Sequence, residues 1–147
     1  MTAGHTPTSY TAEVPVRWSD MDVFQHVNHA RMVTLLEESR IDWLRGVDPE
    51  VAAMLQNSVV AHLDVRYRTP LTHHDSPLSV TMWLERVRSV DLTIRYEVRA
   101  AGAAADSRPA VRATTQLALG DPHTQSLRRL TAEEREQLAP WVHEAGS

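Results

Sequence analysis

From Arg17 to His29 the chain reads Arg-Trp-Ser-Asp-Met-Asp-Val-Phe-Gln-His-Val-Asn-His, which crowds Asp20, Asp22, His26, Asn28 and His29 into one short run. A carboxylate there could attack a carbonyl carbon, or take a proton from a water that does. The run leads into a helical pattern, and a helix start offers free backbone N–H groups and positive potential. Such a terminus can hold a carbonyl oxygen as negative charge develops on it. A thioester suits this modest equipment. Its sulfur donates little resonance to the carbonyl and its thiolate leaves readily, so neither a metal nor a strong general acid is required. The chain has no cysteine nucleophile and shows no G-x-S-x-G elbow, P-loop or dinucleotide glycine pattern.

The flanking elements must position that run. Tyr10, Ala12, Val14, Val16 and Trp18 alternate with polar neighbours, which predicts a strand over 10–18 with Pro15 favouring an edge or a bulge. Ser19 to His29 breaks both periodicities and is expected to be a loop. From Ala30 to Val47 a broad apolar stripe (Met32, Val33, Leu35, Leu36, Ile41, Trp43, Leu44) predicts a helix clasped by a sheet. Asn28 stands at its N-cap and Gly46 near its stop. Asp48-Pro49-Glu50 opens a short second helix to about Gln56.

Alternation then predicts strands over 59–67, from Leu78 with Val87 out of phase, over 92–98, and over 111–119. A turn-rich link from Thr69 to Pro77 separates the first two, and Ala100 to Pro109 forms a hairpin loop. The tail from Thr131 to Ala139 reads as a helix capped by Thr131, with Glu134 completing a capping box. Strands joined by short links imply an antiparallel sheet whose apolar face needs a cover, and the long helix is the candidate. The expectation is one α+β domain over 1–147, with a core at about 10–120 and a short helical tail at 131–140.

Composition narrows the partners. The chain has 147 residues, 42% hydrophobic and 23% charged, enough for one domain with its own core. A net charge of −4 with scattered arginines gives nucleic-acid binding no electrostatic support. Met1 to Tyr10 does not read as a signal peptide, and no stretch approaches the roughly 20 apolar residues of a membrane span. A cytoplasmic location is the resulting expectation.

The D-x-D-x-x-x-H-V-N run from Asp20 to Asn28 resembles that of hot-dog-fold acyl-CoA thioesterases of the 4-hydroxybenzoyl-CoA thioesterase-like family, most closely the bacterial long-chain acyl-CoA branch. Leu35-Leu36-Glu37-Glu38-Ser39-Arg40, the segment Val65 to Leu71 and Asp75 extend the similarity. The resemblance implies a five- to six-stranded antiparallel sheet wrapped around a long helix. It implies a homodimer or homotetramer with the site at a subunit interface, an acyl-CoA substrate, and no cofactor or metal. Asp22 would be nucleophile or general base, with His26, Asn28 and His29 beside it and the amides around Asn28 and His29 polarising the thioester. Gln25, Glu37, Arg66 and Arg68 would contact substrate, and Arg66, Arg68, Arg86 and Arg88 could meet the coenzyme A phosphates. Gln25 stands where the family commonly has glycine, and Met32 where it has tyrosine.

Each residue also has a plainer reading. Asp22 could cap a turn, Asn28 could be only an N-cap, His26 a packed polar group and His29 peripheral. Glu37 could simply pair with Arg40, and Arg66, Arg68, Arg86 and Arg88 could decorate an exposed sheet face. A metal held by His26, His29, His73 and His74 has only weak support from the pattern. The rival functions are a non-catalytic module binding acyl-CoA or an acyl carrier, a hydratase (whose Asp/His motif is absent), and a purely structural oligomeric domain.

Overall fold

The computed structural model describes residues 8–47 and 49–143. Residues 1–7, most of the polar start, and Asp48, the expected opening of the second helix, lie outside the described residues. The elements are β1 (Tyr10–Val14), α1 (His29–Gly46), α2 (Pro49–Leu55), β2 (Ser58–Tyr67), β3 (Leu78–Val87), β4 (Asp91–Arg99), β5 (Val111–Leu119) and α3 (Ala132–Leu138). Single 3-10 turns occupy Trp18–Asp20, His73–Asp75 and Ala139–Trp141.

The strands form one five-stranded antiparallel sheet in the order β1-β3-β4-β5-β2. α1 buries Met32, Leu35, Leu36, Ser39 and Trp43, a helical stripe, against the sheet's inner face. That face is supplied by Ala12 and Val14, by Leu78 to Leu84, by Leu92 to Val98 and by Val111 to Leu119, taking alternate residues. Truncating one such fully buried leucine typically costs about 2–5 kcal/mol. The sheet wrapped on a helix is the arrangement expected, with five strands.

Two details differ from the sequence expectation, and a third bears it out. β1 stops at Val14, because Val14 already pairs with Leu78, the first residue of β3, and Pro15 has no N–H to extend the ladder. Trp18 therefore leaves the apolar face. It is 71% exposed and stacks on His73 with ring centroids 4.3 Å apart. In β2 the register shifts between Val60 and His62, so Val59 lies opposite Ala118 on the outer face while Leu63, Val65 and Tyr67 follow the inner one. The irregularity suspected at Val87 is a register shift between Leu84 and Arg86.

β2 is an edge strand, and it is the poorly covered one. Val59, Val60, Leu63 and Tyr67 are 66%, 46%, 37% and 49% exposed. The tail closes the other side: Trp141 packs on Trp43 with ring centroids 5.2 Å apart, and Leu138 is buried. Thr131 caps α3 and Glu134 completes the box, as expected.

Candidate active site

The acidic run folds into a tight turn held by its own backbone. Met21 bridges Val27, the Asp22 N–H donates to the His26 carbonyl at 3.0 Å, and the Gln25 N–H donates to the Asp22 carbonyl at 3.0 Å. The Val27 N–H reaches the Leu71 carbonyl at 2.7 Å, tying the turn to the link after β2. Closing the turn needs a left-handed residue, and Gln25 fills that place with φ +64°. The glutamine thus keeps a backbone shape that glycine adopts without strain.

The two acids take different positions. Asp20 is fully buried; its carboxylate accepts the Arg17 N–H at 2.8 Å and faces the Arg17 guanidinium at 3.4 Å. Its carbonyl accepts the Asn28 N–H at 2.9 Å, so Asp20 anchors both ends of the loop. Asp22 is half-buried, and its Oδ1 accepts the Phe24 N–H at 2.9 Å. Its Oδ2 accepts no hydrogen bond among the described residues. The turn-capping role and an uncommitted carboxylate oxygen therefore coexist in one side chain.

α1 begins beside it. The Asn28 side chain accepts the Ala30 N–H at 2.9 Å, and the Asn28 carbonyl accepts the Met32 N–H at 2.9 Å, an N-cap as the sequence suggested. Because the Asn28 amide is already committed to Asp20 and that of Ala30 to the Asn28 side chain, the amides of His29 and Arg31 are the ones still open in the first turn. The Tyr67 hydroxyl donates to the His29 carbonyl at 2.6 Å, pinning the end of β2 to the helix start. Burial raises the Tyr67 pKa, which keeps that donor protonated.

Asp22, His26, His29 and Arg68 line one cavity of about 280 Å³, together with Val27, Met32, Tyr67, Thr69, Pro70, Leu71 and Val111. Met32, in the family's tyrosine position, forms part of its apolar wall. Of the other residues singled out from the sequence, Gln25 is exposed on the turn and Glu37 sits two turns up α1, paired with Arg40 at 3.7 Å. Arg66 points to the outer face of the sheet, where it lies opposite Arg112. Arg88 pairs with Asp91 at the β3–β4 turn at 3.1 Å, and neither it nor Arg86 lines the cavity. Among the described residues no group of three or more His, Asp or Glu is placed to hold a metal ion.

Tyr67, Thr69 and Leu71 were missed as site residues. The signal was present, since all three fall in the segment from Val65 to Leu71. What the sequence lacks is the hydrogen bond from Val27 to Leu71 that brings this segment over the turn.

Comparison with known proteins places the chain in a family and a fold. The chain is 35% identical over 77 residues to the long-chain acyl-CoA thioesterase FadM of Escherichia coli, a match covering 51% of this chain and 58% of that protein. The match thus spans little more than half of that curated relative's length. Among solved structures, the probable thioesterase YbaW of Escherichia coli superposes with a TM-score of 0.73 at 27% identity, covering 92% of this chain and 98% of that one. A structure described as a predicted thioesterase from Bacillus stearothermophilus gives a TM-score of 0.77 at 18% identity, covering 95% and 100%, and shows the shared fold. The fold is the hot-dog fold, a five-stranded antiparallel sheet around one helix. No helix among the described residues is long and apolar enough to cross a membrane. The family model described as the thioesterase-like superfamily matches residues 16–145, from just after the first strand through the acidic turn, the helix and the other four strands, and the chain belongs to that superfamily.

Proposed function

We propose that this protein hydrolyses an acyl-CoA thioester to a free acid and coenzyme A, with Asp22 as the working carboxylate. The observation that carries this reading is the free Oδ2 of a half-buried Asp22 in a cavity that also contains the start of α1. The thioester carbonyl carbon lies against Oδ2, and its oxygen faces the His29 amide at the positive end of the helix. Attack by the carboxylate forms an acyl anhydride and expels the coenzyme A thiolate; water then cleaves the anhydride. In the alternative route Asp22 takes a proton from water, whose hydroxide adds to the carbonyl before the same thiolate leaves. His26 and His29 flank the reacting group, and Asn28 holds the helix start that presents the amide.

The assembly belongs to the same reading. The cavity opens beside Tyr67 and Arg68 at the end of the exposed edge strand. A second copy paired along β2 covers Val60 and Leu63 and walls the cavity, giving a homodimer that could assemble further into a tetramer. Gln25 lies on the rim of the turn, and Glu37 faces across the subunit boundary. Arg68, in the wall of the cavity, and Arg66 beyond it are the groups assigned to the coenzyme A phosphates. The reaction as written uses no cofactor, and a cytoplasmic location is part of the proposal.

Free-thiol release from a panel of acyl-CoAs tests the proposal, with Asp22→Asn run alongside. The variant is expected to lose turnover by about 100-fold or more while still binding ligand. Ligand binding without thiol release from any acyl-CoA would replace this reading with the non-catalytic binding module.

A further inference from the structure

Two hydrogen bonds hold the start of α1 against the segment that ends β2. The Val27 N–H reaches the Leu71 carbonyl at 2.7 Å, and the Tyr67 hydroxyl reaches the His29 carbonyl at 2.6 Å. They fall one residue to either side of Asn28, the N-cap. A chain held at one point can swivel about it; held at two points flanking the cap, it cannot. The first bond already closes the acidic turn against Leu71. The second is the only hydrogen bond between β2 and α1 among the described residues. What Tyr67 adds is the orientation of the first helical turn.

That orientation has a chemical consequence. The first amides of a helix have no partner within it, and helix ends fray. An amide stabilises a developing oxyanion only when it is already aimed where the charge appears. The amides of His29 and Arg31 are open in this turn, beside the cavity that contains Asp22. Tyr67 lines the same cavity, but its hydroxyl is committed to a backbone carbonyl. Phenylalanine would line that wall equally well, so what the hydroxyl contributes is the bond.

We infer that Tyr67 is a positioning residue for the thioester reaction: through the His29 carbonyl it holds the first turn of α1 so that its open amides face the oxygen of the bound thioester. The inference rests on the thioesterase reading and adds a residue from β2, the strand proposed to carry the subunit seam. Through this one bond the position of the edge strand is passed to the amides at the helix start.

Tyr67→Phe keeps the ring and removes the donor. Its kcat for an acyl-CoA is expected to fall about tenfold, with KM changed by less than about twofold. A bond that only staples the fold would lower the thermal midpoint and leave the kcat of the folded protein unchanged, and that result overturns the inference. Replacing Tyr67 by para-aminophenylalanine restores a donor at the same place and should recover a large part of the lost kcat. A value no higher than that of Tyr67→Phe overturns the inference as well. A further readout does not depend on turnover. His29-Ala30 is the only His-Ala pair in the chain, so carbonyl-labelled histidine with nitrogen-labelled alanine marks that peptide alone. Its carbonyl resonance should move upfield in Tyr67→Phe; an unmoved resonance shows that the bond is absent in solution and removes the basis of the inference. If the unmodified protein releases no thiol from any acyl-CoA, the thioesterase reading fails and the positioning role falls with it. If it does release thiol and Tyr67→Phe matches its kcat, the positioning role alone fails.

Discussion

A glutamine held at φ +64° stores strain that a glycine would not, on the order of 1 kcal/mol for a side chain with a Cβ in the left-handed region. Gln25→Gly removes that strain and gives back part of it as extra freedom of the unfolded chain. The expected outcome is a net stabilisation of about 0.5 kcal/mol, read as a small rise in the thermal midpoint. A fall in the midpoint would show that the Gln25 side chain contributes a contact that outweighs its backbone. The same turn shows how the structural role of Asp22 can coexist with the chemistry proposed for it. Oδ1 is held by the Phe24 amide, which fixes the carboxylate's plane and leaves Oδ2 directed by the turn, not by a flexible side chain.

Among the elements, α3 depends most visibly on one charged pair. Glu134 accepts from Arg128 through both carboxylate oxygens, each at 2.9 Å, and from the Thr131 N–H at 2.8 Å. The Arg128 hydrogen bonds, first, and the Thr131 amide hold its pKa below the free side chain's 4.5. A carboxyl with a lowered folded value contributes stability that is present above about pH 4.5 and is lost as pH falls through the folded value. Glu134→Gln should therefore cost about 1 kcal/mol near neutral pH, with the gap to the unmodified protein closing on acidification. Urea denaturation across a pH series measures it, and a gap that is constant with pH would remove the ionic explanation. The element matters because α3 carries Leu138, which is buried, and leads into Trp141, which packs against Trp43 in α1.

On the scale of the whole molecule, the open edge at β2 is the feature that a single chain leaves unfinished. Unpaired strand edges with exposed apolar side chains invite pairing with another chain, and Val60 and Leu63 lie on the side where α1 leaves the sheet uncovered. Leu63→Arg places a charge in the proposed seam. It should shift the protein towards monomer in sedimentation analysis and lower thiol release in parallel, because the cavity at Asp22 loses its second wall. A variant that stays dimeric with full turnover would move the interface to another face.

Much of this protein was legible in its sequence because local physics decided it. Alternation at β3, β4 and β5, the stripe of α1, the Asn28 cap and the Thr131–Glu134 box are each set by neighbours a few residues away, and all appear where expected. The acidic run was equally legible as a candidate site, since residue types at fixed spacing need no partner to be noticed. Tertiary structure decided what depends on distant contacts. Pairing of Val14 with Leu78 ended β1 and released Trp18 to His73. Capture of the Asn28 amide by Asp20 removed it from the open donors of the first turn, and Tyr67 joined the site through a hydrogen bond spanning 38 residues. Arg66 and Arg68 both line a cavity on the outer face, and Arg68, past the end of β2 at Tyr67, also reaches the cavity at Asp22. Which face a strand residue takes depends on bulge and register, and register is fixed only when the neighbouring strand, far along the chain, pairs with it.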